Sequence, residues 1–483
     1  MKNMTLENIA LACGGQYVGA KEKKQCFISG AVTDSRDVGQ DFLFIAVKGE
    51  RVDGHQYISA VSQKGALACI VEQPFKEASI PYILVDSSLI ALKQIAAFYR
   101  QQLAIPVIGI TGSVGKTSTK EMIASVLSTK YNVLKTAGNF NNEIGLPLTI
   151  LRIRKEHEVA VVEMGISDFG EMSRLAEIAR PTICVITNIG SAHLENLKDR
   201  DGIFAAKTEV FSYLTEGATV ILNVDDDKLS AVTQVQGRKP IFYGLRGEGE
   251  QRKGEQILRG QSEQIVAEEA EGACFCAKAV KSLGLKGNMA QFVTPEGEME
   301  IRIPLPGEVH IGNALAAAAV GQVLTLTLAE IKQGIEAVQA ISGRSHIIEK
   351  NGITLIDDCY NANPVSMRAA IDLLCLGTGR TIAVLGDMGE LGVKEKQLHY
   401  ELGAYVASQK VSALFCTGKL AQEIVRGAKE MGGGETYYFD SKEELIEGLK
   451  GYAKEGDTLL VKASHFMGFE EVVDCYRTYA PLR

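Results

Sequence analysis

The sequence predicts an α/β protein in three domains, with a mostly parallel sheet at its centre. Three observations predict it. The chain has 483 residues, more than one hydrophobic core usually supports. Short Val- and Ile-rich runs alternate with helical patterns, and each run is followed by Gly, Asn or Asp, as in βα units. One such run leads through a glycine-rich segment, Gly109–Thr117, into a helix.

In chain order, a strand at Tyr82–Val85 closes a small α/β block over residues 1–86. Strands Ile105–Thr111, Val159–Met164, Ile183–Asn188 and Thr219–Asn223 fall in a second block, 87–341. There Cys274–Val280 and Glu298–Ile303 read as short strands of a minor sheet. The segment Leu245–Arg259, rich in Gly, Glu, Gln and Arg, reads as an exposed loop. A third block, 342–483, follows the turn Ser342-Gly343-Arg344 and holds strands Thr354–Asp358, Thr381–Leu385, Ala413–Thr417 and Thr458–Lys462.

Composition narrows the function. Hydrophobic residues make up 46% and charged residues 23%, which excludes disorder. A net charge of -8 excludes a nucleic-acid binder that works through bulk charge, so an anionic substrate needs local clusters. The apolar run Ile9–Cys13 is too short for a signal-peptide core. No run reaches the roughly 18 apolar residues of a membrane span, and the Ala-rich stretch Ala314–Val323 reads as a buried helix. A cytoplasmic protein without membrane insertion is expected. The ten cysteines form no CxxC pair, so buried free thiols are expected rather than zinc sites or disulfides.

The clearest chemistry lies in Thr111-Gly112-Ser113-Val114-Gly115-Lys116-Thr117. Glycines let a backbone wrap closely, so that N–H groups face phosphate oxygens. A helix starting near Lys116 adds partial positive charge. Lys116 has the reach for the β- and γ-phosphates, and the Thr117 hydroxyl suits Mg²⁺. Ile110 stands where the general phosphate-loop pattern has glycine. A second cluster, Gly138–Gly145, places Asn139, Asn141 and Asn142 around Phe140, either as turn chemistry or as a polar ligand site. Glu163 and His193 follow two further strands. Open parallel sheets gather ligands at the carboxyl ends of their strands, so both are expected beside the loop.

Taken together these segments resemble the Mur ligases. The resemblance rests on the phosphate loop, GNFNNEIGLP from Gly138, Glu163-Met164-Gly165, Thr187-Asn188-Ile189-Gly190 with His193, Ala206-Lys207 and Asn223-Val224-Asp225-Asp226. It continues in Asp358-Cys359-Tyr360-Asn361-Ala362-Asn363-Pro364 and Gly386-Asp387-Met388-Gly389-Glu390-Leu391-Gly392, and runs from Asp34 to about Glu470. The last two runs resemble the branch that attaches D-alanyl-D-alanine to UDP-N-acetylmuramoyl-tripeptide. The resemblance implies a UDP-substrate domain, a central P-loop ATPase and a C-terminal Rossmann-like domain, acting as a monomer on these two partners with ATP and Mg²⁺. It implies that Ser35 and Arg36, with Asp53-Gly54-His55, serve the UDP end. Thr117, Glu163, His193 and a carbamylated Lys207 would serve Mg²⁺. Asn313 and Arg344 would contact adenine and phosphate, and Tyr360, Asn361 and Asn363 would face ATP or the dipeptide.

The family pattern is altered in three places. Val114 replaces a frequent Asn, His310 is shifted by one position, and Lys462-Ala463-Ser464-His465 replaces Lys-Gly-Ser-Arg. The implied reaction activates a carboxylate as an acyl-phosphate, which an amine then attacks. Rival readings are a ligase adding a single amino acid, a nucleotide-gated scaffold and a P-loop kinase. The intact loop with Lys207 speaks against the scaffold, and the Tyr360–Pro364 run against the kinase.

Overall fold

The computed structural model describes residues 1–49, 52–75, 80–245 and 274–478. Among them the strands form three sheets, of five, nine and six strands. The first holds β1 (Gln16–Val18), β2 (Gly30–Val32), β3 (Phe42–Ile45), β4 (Ala68–Val71) and β5 (Tyr82–Leu84), in the order β1-β5-β4-β3-β2. β2 to β5 pair in parallel, and β1 runs antiparallel to β5.

The second sheet holds β6 (Val107–Thr111), β7 (Val133–Lys135), β8 (Val159–Glu163), β9 (Ile183–Ile186), β10 (Thr219–Asn223), β11 (Ile241–Leu245), β12 (Cys274–Ser282), β13 (Asn288–Thr294) and β14 (Gly297–Ile303). Their order is β14-β13-β12-β11-β10-β9-β6-β8-β7. The third holds β15 (His346–Lys350), β16 (Ile353–Asp357), β17 (Thr381–Leu385), β18 (Ala413–Thr417), β19 (Glu435–Phe439) and β20 (Thr458–Lys462), ordered β15-β16-β20-β17-β18-β19. All its neighbours pair in parallel except β15 with β16.

The α/β class with mostly parallel sheets is therefore as expected. Strand ends differ for local reasons. β6 starts at Val107 because Pro106 has no N–H to give; its carbonyl still accepts from Ala160 N. β9 stops at Ile186 because Asn188 turns to the glycine-rich loop. Cys274–Val280 and Glu298–Ile303 form no separate minor sheet: β12 pairs in parallel with β11, from Phe242↔Cys274, so β12–β14 extend the nine-stranded sheet as an antiparallel meander. Leu245 ends β11, and the rest of the expected exposed loop, 246–259, lies outside the described residues.

The chain divides into two compact units. One comprises Met1–Thr111, Lys130–Val185 and Lys207–Val220; the other comprises Gly112–Thr129, Ile186–Ala206 and Ile221–Arg483. In the first, the helix Ser88–Gln101 is capped by the Ser87 hydroxyl, which accepts from Ile90 N, and it buries Leu92, Ile95 and Tyr99. Its buried Arg100 donates to the carbonyls of Ala179, Leu103 and Arg180, which compensates the lost hydration of the guanidinium.

In the second unit, β17 sends Ile382 and Val384 into one core cluster and Ala383 and Leu385 into the other. That is the two-residue period of a strand buried on both faces. Among the described residues no helix is long and apolar enough to cross a membrane. The expectation of buried thiols fails at Cys375, the C-cap of the helix Pro364–Leu374, which is exposed, and at Cys26, Cys274 and Cys475, which are half-buried.

The helix Lys116–Leu127 packs closely on the helix Leu328–Glu336. A Cβ at Gly334 would lie 2.4 Å from Val126 Cα and 2.9 Å from Ser125 O, both backbone atoms. Gly334→Ala is expected to destabilise the chain by about 1–3 kcal/mol through overpacking, read as a lower urea midpoint.

Candidate active site

β6 delivers the buried Thr111 into a loop that only glycine permits at two points. Gly112 has φ +146° and Gly115 φ +84°, and a Cβ on Gly112 would meet Thr187 Oγ1 at 2.0 Å. The loop is clasped by the segment after β9. Asn188 accepts from Ser113 N at its carbonyl (3.1 Å) and from Val114 N at its side-chain oxygen (2.9 Å). Its amide nitrogen donates to Val114 O (3.0 Å), and the Thr187 hydroxyl donates to the same carbonyl (2.6 Å). The N–H groups of Ser113 and Val114 are thus both taken by Asn188 in this arrangement. Lys116, first residue of the helix, reaches back to donate to Gly112 O at 2.7 Å.

Behind the loop, Asn313 is buried in the helix Val309–Val323. Its oxygen accepts from the Thr119 hydroxyl (3.0 Å), and its amide nitrogen lies 3.3 Å from His310 Nδ1. A Cβ on Gly115 would touch its oxygen at 3.4 Å. Asn313 therefore braces the phosphate-loop helix from within the unit. Sequence reading left His310 without a role; burial pushes its imidazole down to about 4, so it stays neutral and accepts from Asn313.

Glu163 ends β8, opposite Ile110 in the parallel register of β6 and β8. Its side chain is 1% exposed. Asn141 donates to its Oε1 at 2.8 Å, and its own N–H donates to the Thr136 hydroxyl at 3.0 Å. The three asparagines divide: Asn141 orients Glu163, Asn142 accepts from Ile144 N and Gly145 N as a turn residue, and Asn139 is exposed. Lys207 is 1% exposed, which excludes a solvated surface lysine. His193 sits at φ +60° with Nδ1 2.5 Å from Glu390 Oε2, and the imidazole holds the Glu390 carboxyl below its usual range.

In the third sheet's loops the Arg344 guanidinium lies 4.0 Å over the Tyr360 ring, and His465 stacks on the same ring at 5.7 Å. The buried Lys462 ammonium donates to Asp358 Oδ2 (2.6 Å) and to Asn361 O (2.9 Å). Asn363 caps the helix Pro364–Leu374 in a reciprocal box with Ser366, so its side chain already has a structural task. In the first sheet's loops, exposed Arg36 is bonded to Asp34, whose carboxyl it pulls down to about 2. Ser35 O accepts from Lys64, and His55 bridges Asp53 and Glu72 N.

The Mur ligase middle domain matches residues 110–321, the Mur ligase glutamate ligase domain 343–465, and the Mur ligase family catalytic domain 27–109. The chain belongs to the Mur ligase family. It is 36% identical over 98% of its length to the UDP-N-acetylmuramoyl-tripeptide--D-alanyl-D-alanine ligase of Bacillus subtilis, and covers 98% of that protein. A crystal structure of MurF from Acinetobacter baumannii superposes with a TM-score of 0.83 at 32% identity, covering 98% of both chains. The MurF ligase of Thermotoga maritima in complex with ADP gives 0.76 at 29% identity, covering 92% of this chain and 96% of that one.

The donor chemistry of this Mur ligase suits a hard cation. Thr117 and Glu163 each carry oxygen donors and are 6% and 1% exposed, and a carboxylate as buried as that of Glu163 requires a compensating positive charge or hydrogen bonds. Among the described residues no three His, Cys, Asp or Glu side chains cluster as a metal cage. Mg²⁺ needs none, since it keeps waters and takes phosphate oxygens beside one or two carboxylates. Sequence reading missed Asn188, Thr187 and Glu390 as working residues. All three stand in quoted motifs, but only the fold supplies their partners.

His310 gives the unit that holds it a pH signature. Its folded-state value is about 4, below the ordinary 6.5, so its contribution to stability is full above pH 6.5 and is lost as pH falls toward 4. Between pH 7 and pH 5 the wild type is expected to lose about 2 kcal/mol on this account, and His310→Asn is expected to lose less. Urea unfolding of both proteins at the two pH values measures it.

Proposed function

We propose that this chain is an ATP-dependent ligase that joins D-alanyl-D-alanine to UDP-N-acetylmuramoyl-tripeptide, giving the pentapeptide, ADP and phosphate for peptidoglycan precursors. The observation that carries the reading is 36% identity over 98% of the chain to a relative of that name. The relative solved in complex with ADP supports nucleotide use at the loop. Residues 1–86 are assigned to the UDP end through Ser35 and Arg36, 87–341 to ATP, and 342–483 to a Rossmann-like domain that faces ATP or the dipeptide. The working form is a cytoplasmic monomer.

The tripeptide carboxylate attacks the γ-phosphorus; an O–P bond forms and ADP leaves. The amine of D-Ala-D-Ala, having lost a proton, attacks the acyl carbon; a C–N bond forms and phosphate leaves. Lys116 moves from Gly112 O to the phosphates, offsetting charge on the transferring group. Thr111 to Thr117 form the phosphate end, braced by Asn313, and Arg344 stacked on Tyr360 supplies a second cation. Asn139, Asn141, Asn142, Asn361 and Asn363 line the substrates, directly or through the residues they hold. Thr117, Glu163, His193 and a carbamate on Lys207 are the residues that would hold Mg²⁺, which would offset phosphate charge.

Three measurements test this. Turnover with UDP-MurNAc-tripeptide, ATP and D-Ala-D-Ala is expected to release ADP and phosphate with the pentapeptide; AMP in step with amide formation, or preference for a single amino acid, overturns it. Lys116→Ala is expected to lower kcat more than tenfold, over about 1.4 kcal/mol, with an unchanged melting temperature. Lys207, as buried as it is, is expected to add CO₂ at its neutral amine with release of a proton. Protein equilibrated with ¹³C-bicarbonate then shows a carbamate resonance that Lys207→Ala lacks; an identical spectrum for both proteins rejects the modification.

A further inference from the structure

His193 and Glu390 come from distant parts of the chain and meet at 2.5 Å, Nδ1 to Oε2, an ion-pair contact in which the buried Nδ1 lacks the alignment of a hydrogen bond. Both lie in left-handed backbone, at φ +60°, a region unfavourable for any residue with a Cβ. The two turns thus aim these side chains at each other at some conformational cost. They also touch through the backbone: Glu195 N donates to Glu390 O at 3.4 Å, and a Cβ on Gly392 would lie 3.4 Å from Glu195 Cα.

The loop that carries Glu390 is held stiffly. Met388 N donates to His399 Nε2 (2.8 Å), and Gly389 N donates to Ser464 Oγ (2.8 Å). Asp387 Oδ1 accepts from Leu420 N and Ala421 N. Ser464 Oγ in turn donates to Ala362 O at 3.3 Å, within the Tyr360–Pro364 run.

We propose that Glu390 is a positioning residue for His193: its carboxylate, already 2.5 Å from Nδ1, accepts from it once the ring turns Nε2 toward a divalent cation, and so makes cation affinity depend on docking of the Gly386–Gly392 loop. The proposal rests on the reading of His193 as a cation ligand. An imidazole that binds a metal through one nitrogen is fixed in tautomer and orientation by the acceptor on the other, and loss of such an acceptor weakens metal binding by about 10–100-fold. Through Ser464 and Ala362 the same loop is continuous with the run assigned to ATP or the dipeptide, so His193 is held in place only when that run is.

The test is Mn²⁺ binding to the full chain with a β,γ-methylene ATP analogue, read by the electron paramagnetic resonance of free Mn²⁺. Glu390→Ala is expected to weaken one Mn²⁺ site about tenfold or more with the analogue's affinity at the other site unchanged. Glu390→Gln, which keeps an acceptor oxygen, is expected to restore most of it. His193→Ala is the reference. If it abolishes that site while both Glu390 variants bind Mn²⁺ within about twofold of wild type, Glu390 has no positioning role and the His193 reading stands. If His193→Ala keeps every Mn²⁺ site, the reading and the proposal fall together. Melting temperatures of the variants separate either result from misfolding, and Glu390→Gln carries the test should Glu390→Ala not fold.

Discussion

The clasp of Thr187 and Asn188 on the backbone of Gly112 to Val114 is the constraint from which the rest of the catalytic geometry follows. A loop of Gly, Ser and Val has no core of its own and would sample many conformations. Here one asparagine satisfies two of its N–H groups and one carbonyl, and Thr187 fills the space where a Gly112 side chain would stand. The loop must therefore take one path, and that path fixes where the helix Lys116–Leu127 begins. Asn313 and Thr119 hold the same helix from behind. Net charge plays no part, as suits a chain at -8 that must hold a polyanion: a helix terminus and single cations act locally where the global field would repel.

The legible part of the fold was its most buried part. Thr381–Leu385, Ala413–Thr417 and Thr458–Lys462 read correctly to the residue because strands covered on both faces are continuous apolar runs. β7, β15 and β19 escaped reading because they are partly exposed throughout, and their mixed residues carry no clean period. The strands of the first sheet span three or four residues each, shorter than any window in which periodicity can be recognised, and of these β5 alone was read, as Tyr82–Val85. The minor sheet was misplaced because pairing between β11 and β12 is a long-range fact that neither strand encodes alone.

The site divides along the same line. Lys116 and Thr117 were readable since a phosphate loop is contiguous in sequence and its mechanism is local. Glu163 and His193 were readable as types at strand ends. Their orienting partners, Asn141 and Glu390, were not, because a hydrogen bond between distant residues leaves no local pattern. His310 shows the reverse: the residue looked like a displaced motif element, and burial beside Asn313 gives it a task that a spacing rule could not assign.

The buried pair Lys462–Asp358 extends this logic to the third sheet's loops. Its side chains are 3% and 13% exposed, and taking both charges out of water offsets most of their attraction, so the pair adds little net stability. Its geometry does something else. The same ammonium donates to Asn361 O, and three donor positions on one buried nitrogen hold β20 against the turn that starts Tyr360–Pro364. An apolar pair of equal volume would fill the space without fixing that turn. Arg344 over Tyr360, with His465 on the same ring, depends on where the turn places the aromatic ring. The charge is retained for register, and register there decides whether the guanidinium of Arg344 lies over an aromatic face.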